Sequence, residues 1–473
     1  MRAPRPPTIE QPAPAAPERE AGGFGKAVFF GIGVSRVGPA DVVRFVAESA
    51  VARRKALVHN VNVHAMNIAR ANARFADALN DSDVVFCDGI GLKLLARLAG
   101  VRLGERMTPP EWIDTLFEAC AEKGLSLFFL GDEERVLVAL VAEAARRHPR
   151  LRIAGWHHGF FAVEGEENRR VVELIRASKA DVILTGMGMP RQELWAHDNL
   201  PALEAGVVIA AGALFRVYSG FGSRCPPWLS RHGLEWAWRL AHEPRRLFAR
   251  YVFGNAAFIL RVLYAVYLKR PLELVTAAGL FLLSLPLLAV CWALVRLERG
   301  GPAIFTHQRV GKDGRRFVMY KFRTLPRGFP VYAPKRRVEA SQLTAVGRFL
   351  RRTALDELPQ LVNVMKGDMA LVGPRPEMPF IADGYRERER LRLTVKPGAT
   401  GPWQVARLRG AVDGRAIHED LSYDLAYVRR LGPFEDLRIL AGTALCMASL
   451  PFRKVSERVP RLQAARESPP PPA

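Results

Sequence analysis

No residue from 274 to 295 carries a charge, a run of 22 in a chain that is otherwise one-quarter Asp, Glu, Lys and Arg. Coiled into a helix, this run would be roughly 30 Å long, the thickness of the hydrocarbon core of a bilayer. Lys269 and Arg270 precede it and Arg296 and Arg299 follow it. Positive residues on both flanks give a simple span no preferred orientation. Ser284-Leu285-Pro286 falls in the middle, and proline there removes a backbone hydrogen bond and disturbs the helix. The pattern predicts a re-entrant helix that enters one leaflet, breaks at Ser284-Leu285-Pro286 and returns, leaving both flanks on the cytoplasmic side. A kinked transmembrane helix is the rival, and a helix buried in a soluble core is a third reading.

Of 473 residues, 69 are Lys or Arg and 47 are Asp or Glu, a formal net charge of +22. Such an excess points to anionic partners: phosphorylated substrates, an acidic membrane face or nucleic acid. No helix-turn-helix, zinc or RNP pattern is present and the basic residues gather beside apolar segments, so nucleic acid is not expected. Cys87, Cys120, Cys225, Cys291 and Cys446 lie far apart with no CxxC pair, which argues against a disulfide framework or a zinc site and fits a reducing compartment. The length suggests two or three domains. Residues 1–25 read as a Pro-rich leader without the apolar stretch of a signal peptide, and 453–473 as a Pro-ended tail; both are expected to be disordered.

Residues 26–252 alternate short apolar runs (56–61, 84–86, 125–130, 152–154, 181–185 and 207–211) with helical patterns such as 111–123 and 135–147. This alternation predicts an α/β domain with a largely parallel sheet, whose ligands bind where strands end. Asp88 sits at one such end, where a partly desolvated carboxylate can take a proton from a hydroxyl; a turn-forming Asp-Gly pair is the plainer reading. Asn60, Asn62 and His64 follow another strand. In Gly186-Met187-Gly188-Met189-Pro190-Arg191-Gln192-Glu193, a glycine turn leads into a helix, either cradling a phosphate or simply turning the chain. From 231 to 270 the basic residues Arg239, Arg245, Arg246, Arg250 and Arg261 mix with Trp236, Trp238, Phe248, Tyr251 and Phe253. That composition suits a helix in a membrane interface, with 253–270 an interfacial linker helix; a solvated helix with a core face is the alternative.

Beyond the apolar run, Lys312-Asp313-Gly314 between two strand-like stretches predicts a β-hairpin, and the remainder to 452 reads as mostly α. The densest cluster of chemistry is Lys321-Phe322-Arg323-Thr324, then Arg352-Thr353-Ala354-Leu355-Asp356-Glu357-Leu358-Pro359, then Gly373-Pro374-Arg375. Adjacent Asp356 and Glu357 would point about 100° apart on a helix, free for separate roles. Asp356 is either a helix N-cap ahead of Pro359 or a carboxylate nucleophile. Lys321, Arg323, Arg352 and Arg375 supply the charge that holds a diphosphate, unless they form a solvated basic face.

Two family resemblances follow. Asn60-Val61-Asn62-Val63-His64, Cys87-Asp88-Gly89-Ile90-Gly91, Glu105-Arg106-Met107-Thr108, His158-Gly159, Gly186 to Glu193 and Leu234-Glu235-Trp236, in that order, resemble the WecG/TagA/CpsF glycosyltransferases. The resemblance implies inverting transfer from a UDP-sugar to a polyprenyl-diphosphate-sugar without a required metal. It further implies Asp88 as general base, a substrate site at Asn60, Asn62, Arg106, Thr108, Gly188, Pro190, Gln192 and Glu193, and membrane docking by the basic segment around Arg239 and Arg250. Residues 269–450, with Lys269-Arg270-Pro271, Gln308-Arg309-Val310-Gly311, Asp356 to Gln360, Gly373 to Pro376, Lys396-Pro397-Gly398 and Tyr423-Asp424, resemble the monotopic polyprenyl-phosphate phosphoglycosyl transferases, with 271–452 as the expected domain. That resemblance implies that Asp356 attacks the β-phosphate of the donor and expels UMP, that Glu357 is a Mg²⁺ partner, and that Lys321, Arg323, Arg352 and Arg375 bind substrate. Together they imply a bifunctional membrane enzyme of surface-glycan synthesis, monotopic on the cytoplasmic face of the bacterial inner membrane. A glycosyltransferase whose C-terminal half is only an anchor is the alternative.

Overall fold

The computed structural model describes residues 24–204, 206–299, 301–326, 342–409 and 420–449. Most of the expected leader and all of the expected tail lie outside these residues.

Two strands precede the main sheet. β1 (Lys26–Phe29) and β2 (Ile32–Ser35) form an antiparallel hairpin that the apolar pattern did not reveal. Its two-residue turn, Phe30-Gly31, has φ of 47° and 75°, the left-handed pair a tight hairpin needs. Phenylalanine is a rare residue in that role.

The main sheet is parallel and six-stranded: β3 (Ala56–Val61), β4 (Val84–Cys87), β5 (Ser126–Gly131), β6 (Arg152–His157), β7 (Val182–Gly186) and β8 (Val207–Ala210), in the order β4-β3-β8-β7-β5-β6. Alternate residues serve opposite faces, as strand geometry requires. Val58, Phe86, Phe129 and Leu184 pack against helices Pro39–Val51, Pro109–Glu122 and Glu134–Arg147. On the other face, Val61, Val85 and Cys87 meet helices Val63–Ala71, Ala73–Asn80 and Ile90–Leu98. Phe128, Leu130 and Ile183 meet helices Gly165–Ser178 and Arg191–Asn199 on that same side. The expected α/β lobe is therefore a three-layer sandwich, and all six strands deliver their C-terminal ends to one edge.

After the sheet the chain forms one helix from Pro244 to Glu298, 55 residues and roughly 80 Å at 1.5 Å per residue. Two π-helical stretches, Ala249–Gly254 and Tyr264–Leu268, lie within it. The stretch expected to be an interfacial linker is half core: Phe258 and Val262 are fully buried against Phe29, Ile32 and Met66 of the N-terminal lobe, while Phe253 and Leu260 remain exposed. The apolar run belongs to the α-helix Lys269–Arg299, which continues through Pro286. The expected break into two helices is not present. Ser284 Oγ donates to the Phe281 carbonyl 3.0 Å away, and a helix whose neighbouring turns stay intact tolerates one missing donor. Leu283 is 81% and Val275 73% exposed, yet Ala277 and Cys291 are buried against the C-terminal lobe. Positions towards both ends of the run thus pack on the same lobe.

That lobe holds the expected hairpin, β9 (Ile304–Val310) and β10 (Arg316–Phe322), turned by Asp313 and Gly314 at φ of 56° and 77°. A short parallel pair, β11 (Ala370–Val372) and β12 (Gly398–Thr400), stands within the stretch expected to be mostly α. The rest is helical. A buried polar node clamps the base of the apolar helix. Lys269 Nζ pairs with Asp436 at 2.5 Å and Glu273 at 3.0 Å, Asp436 also accepts from Tyr264 and Tyr427, and Glu273 accepts from the Leu371 backbone N–H.

The lobes touch. Arg261, only 4% exposed, donates to the carbonyls of Leu431 (3.1 Å) and Arg429 (2.5 Å) and stacks on Phe30 at 4.5 Å. Arg388 and Asp77 add an ion pair at 2.6 Å.

Candidate active sites

Asp88 follows β4 at the common strand edge. Its Oδ2 accepts from Asn60 Nδ2 at 2.9 Å and from Asn62 Nδ2 at 3.3 Å, both at the end of neighbouring β3. Asn62 also caps the next helix through Ala65 N, so its side chain is held by two bonds. Burial pushes the Asp88 carboxyl above its ordinary range, against the pull of Arg239 and the two amides; a carboxylate so poised is a proton acceptor. Gly89 turns the chain at φ 95° and brings Asp88 into a cavity of about 110 Å³, which Arg106, Glu235, Arg239, Arg250 and Tyr251 also line. His64 lines it too, with burial pushing it down to about 4. Thr108 lies in an adjoining cavity.

Arg239 and Arg250 are read from sequence as lipid contacts, but the structure turns them onto Asp88. Arg239 is paired with Glu235 at 2.6 Å. Their alternation with aromatics carried the membrane signal; helical phase, invisible without the fold, decides which way they face. Gly188, Pro190, Gln192 and Glu193 stand at the same edge after β7 but do not line either cavity. They form a local network: the Gly188 N–H donates to Gln192 Oε1 at 3.1 Å, and Gln192 Nε2 donates to Glu193 Oε1 at 2.8 Å. Burial pushes the Glu193 carboxyl up to about 7.

In the C-terminal lobe, Ala354 takes a left-handed φ of 59° and ends the helix Ala345–Thr353, after which Leu355–Glu357 makes one 3₁₀ turn. Asp356 lies inside that turn and caps no helix; Pro359 stands at the N-cap of the helix Gln360–Lys366. Asp356 is 9% exposed, and no side-chain hydrogen bond reaches its carboxylate among the described residues. Burial, followed by the Glu357 charge, pushes it up to about 6 against Lys321, Arg351 and Arg375. It therefore stays mostly ionised at pH 7.

Glu357 is held instead. Its Oε1 accepts from Lys321 Nζ at 2.6 Å and Arg375 Nη2 at 3.1 Å. Those two cations hold its carboxyl far below the usual range despite its burial. Arg375 is itself fixed from behind: Arg392 donates to its carbonyl at 2.7 Å and pairs with buried Asp424 at 2.5 Å. Arg323 presents a buried Nη1 with no partner among the described residues. Arg351 and Arg352 are both exposed, but Arg351 bonds Thr324 Oγ1 at 2.9 Å and acts on Asp356. His307 was missed from sequence. It is buried on β9, and burial with Arg309, Lys321 and Arg375 pushes it down to about 3. Strand register held the clue, because Phe305 pairs with Lys321 and places His307 on the same face.

Among the described residues no group of three or more His, Cys, Asp and Glu side chains forms a ready-made metal cage. One or two carboxylates plus substrate phosphates and water suffice for Mg²⁺; both cations bond Oε1 of Glu357, which leaves its second oxygen as the donor that fits such an ion.

A parallel-sheet lobe thus presents a carboxylate among arginines, and a helical lobe presents a free aspartate beside a cation-clamped glutamate. The Glycosyl transferase WecG/TagA/CpsF family model matches residues 27–271, and the Bacterial sugar transferase model matches 264–449. The chain belongs to the WecG/TagA/CpsF glycosyltransferase family and carries a bacterial sugar transferase domain behind it. It is 36% identical over 216 residues to the undecaprenyl-phosphate galactose phosphotransferase of Salmonella typhimurium, covering 41% of this chain and 44% of that one. Against the UDP-glucose:undecaprenyl-phosphate glucose-1-phosphate transferase of Escherichia coli it is 38% identical over 181 residues, 37% of this chain and 38% of that one. A protein of the same name from Caulobacter vibrioides is 38% identical over 181 residues, 67% of its length. The chain thus spans less than half the length of the Salmonella and Escherichia relatives. Both halves are sugar-transferring enzyme families.

Proposed function

We propose that the chain performs two successive transfers on one lipid. In the C-terminal lobe, an Asp356 oxygen attacks the β-phosphorus of a UDP-sugar. The bond to the α-phosphate oxygen breaks and UMP leaves, giving a phosphosugar–aspartyl enzyme. A phosphate oxygen of polyprenyl phosphate then displaces Asp356 and yields polyprenyl-diphosphate-sugar. Lys321, Arg323, Arg351 and Arg375 neutralise the phosphates. Glu357 would hold Mg²⁺, which would offset the diphosphate charge.

In the N-terminal lobe, Asp88 takes the proton from a hydroxyl of that lipid-linked sugar as its oxygen attacks the anomeric carbon of a second nucleotide-sugar and UDP departs with inversion. Arg106, Arg239 and Arg250 hold the diphosphate, and no metal is needed there. The order of reactions runs opposite to the order of lobes. Packing of positions near both ends of the apolar helix on one lobe favours a monotopic seat on the cytoplasmic face of the inner membrane.

The observation that carries this reading is the pairing, in one chain, of two burial-raised carboxylates, each facing arginines. The free Asp356 beside the fixed Glu357 speaks against a C-terminal half that is only an anchor. The test uses membranes containing the protein, a panel of UDP-sugars and polyprenyl phosphate, with lipid products read by mass. Asp356→Asn should abolish UMP release; Asp88→Asn should spare it and block UDP release. Normal UMP release by Asp356→Asn would sink the assignment.

A further inference from the structure

A second cavity, of about 270 Å³, adjoins the one that holds Asp88 and has no role in the steps above. Thr108, Glu111, Ser223, Cys225 and Ser230 line it, and Glu235 and Arg239 belong to both cavities. Through Glu235 and Arg239 it adjoins the space in front of Asp88, within reach of a group carried by a ligand bound there.

Its chemistry differs from that of the Asp88 cavity. There, three arginines (Arg106, Arg239 and Arg250) outnumber two carboxylates (Asp88 and Glu235), an arrangement suited to phosphate. Here two carboxylates, Glu111 and Glu235, match two arginines, Arg224 and Arg239; Arg239 bonds Glu235 at 2.6 Å, and Arg106, which lines the other cavity, bonds Glu111 at 2.8 Å. Hydroxyls fill the gaps. Ser230 Oγ donates to Glu111 Oε1 at 3.0 Å, so its lone pairs stay open to a donor. Ser223 Oγ accepts from Trp238 Nε1 at 3.0 Å, which leaves its own hydrogen to donate. Glu111 Oε2 holds only a long contact to the Thr108 backbone N–H, 3.5 Å, and a better donor can take its place. Interleaved donors and acceptors around a void slightly smaller than most ligand pockets match a neutral, hydroxyl-rich ring.

We infer that this cavity seats the ring of one of the two sugars in the second transfer, with Glu111 and Ser223 reading its hydroxyls. The inference rests on the reading of the Asp88 cleft as a glycosyl-transfer site and adds where sugar selection resides. A site built to hydrogen-bond a hydroxyl rejects an analogue that lacks or misplaces it, because its polar groups are then left unpaired.

Cys225 provides a readout that needs no turnover. It is the partly exposed cysteine of the five; Cys87, Cys120, Cys291 and Cys446 are buried. Full-length protein in lipid nanodiscs is alkylated with iodoacetamide at pH 8.5, because burial raises the Cys225 thiol. The arms add UDP, UDP-hexoses, polyprenyl diphosphate or polyprenyl-diphosphate-sugar. Either sugar-bearing ligand should slow Cys225 labelling at least tenfold while its sugar-free counterpart does not, and the arm that protects names the sugar as donor or acceptor. No protection by any ligand, or equal protection by UDP alone, overturns the inference. In transfer assays normalised to UMP release, Glu111→Gln and Ser223→Ala should each cut discrimination between epimeric sugars about tenfold; unchanged ranking of donors and of acceptors overturns it. If no second lipid product forms with any pair, the transfer reading fails, and the labelling arms still report whether a sugar occupies the cavity.

Discussion

Replacing Lys321 with methionine should move the acid limb of UMP release upward. Lys321 Nζ lies 2.6 Å from Glu357 Oε1 and its charge also reaches Asp356. Asp356 stands at about 6 because burial and the Glu357 charge raise it while three cations pull it down. The substitution removes one of those cations and leaves Glu357 less neutralised, so both changes act in the same direction. A rise of about one unit is expected, roughly 1.4 kcal/mol of lost carboxylate stabilisation. From a starting value near 6, ionised Asp356 at pH 7 would fall from about 90% to about 50%, and at pH 8.5 it would be nearly complete again. Loss of phosphate contact lowers the rate at every pH; the ionisation loss alone recovers with alkali. The assay is the burst of UMP from UDP-sugar without acceptor, followed between pH 5 and 9, so that titration of polyprenyl phosphate plays no part. An acid limb that stays near 6, or moves below it, would refute the assignment of that limb to an Asp356 held by this cluster.

Three other outcomes are expected. Glu193 titrates near 7 in the fold against 4.5 for a free glutamate, so the folded state loses stability as pH rises from about 4.5 through 7. Glu193→Gln should remove that slope and be more stable than wild type at pH 8 by about 3 kcal/mol, read by denaturant melts in detergent at pH 5 and 8. Asp436→Ala should cost about 3 kcal/mol or more, because it strips Lys269, Tyr264 and Tyr427 of a buried acceptor. The Lys269→Met/Asp436→Leu pair should recover part of that loss in thermal melts. Arg261→Ala should loosen the two lobes and expose the contact segment to limited proteolysis, with UMP release retained.

Much of the architecture was legible. Strand β3 falls where the apolar run put it, and the β9–β10 turn follows from Asp313-Gly314. What escaped has physical causes. Phe30 at positive φ carries no turn signature, so the first hairpin was invisible. Alternating basic and aromatic residues announce a helix, but not that Phe258 and Val262 enter a core while Arg239 and Arg250 turn onto Asp88. Arg351 and Arg352 differ by one helical step of about 100°, and composition cannot choose between them. Pro286 argued for a break; in the fold its missing bond is absorbed within a continuous helix. The sequence leaves Asp356 open between cap and nucleophile, and the left-handed Ala354, which ends one helix early and leaves a 3₁₀ turn, removes the cap reading.

The helix from Pro244 to Glu298 sets a rule for anyone recombining these two families. Although the matched family segments overlap at residues 264–271, a cut there severs a rod whose upstream faces serve both partners: Phe258 in one core, Arg261 against the other. Adding a single residue to that rod would swing one candidate site about 100° around the other, so functional chimaeras should tolerate exchange of whole lobes with the rod intact and reject insertions within it.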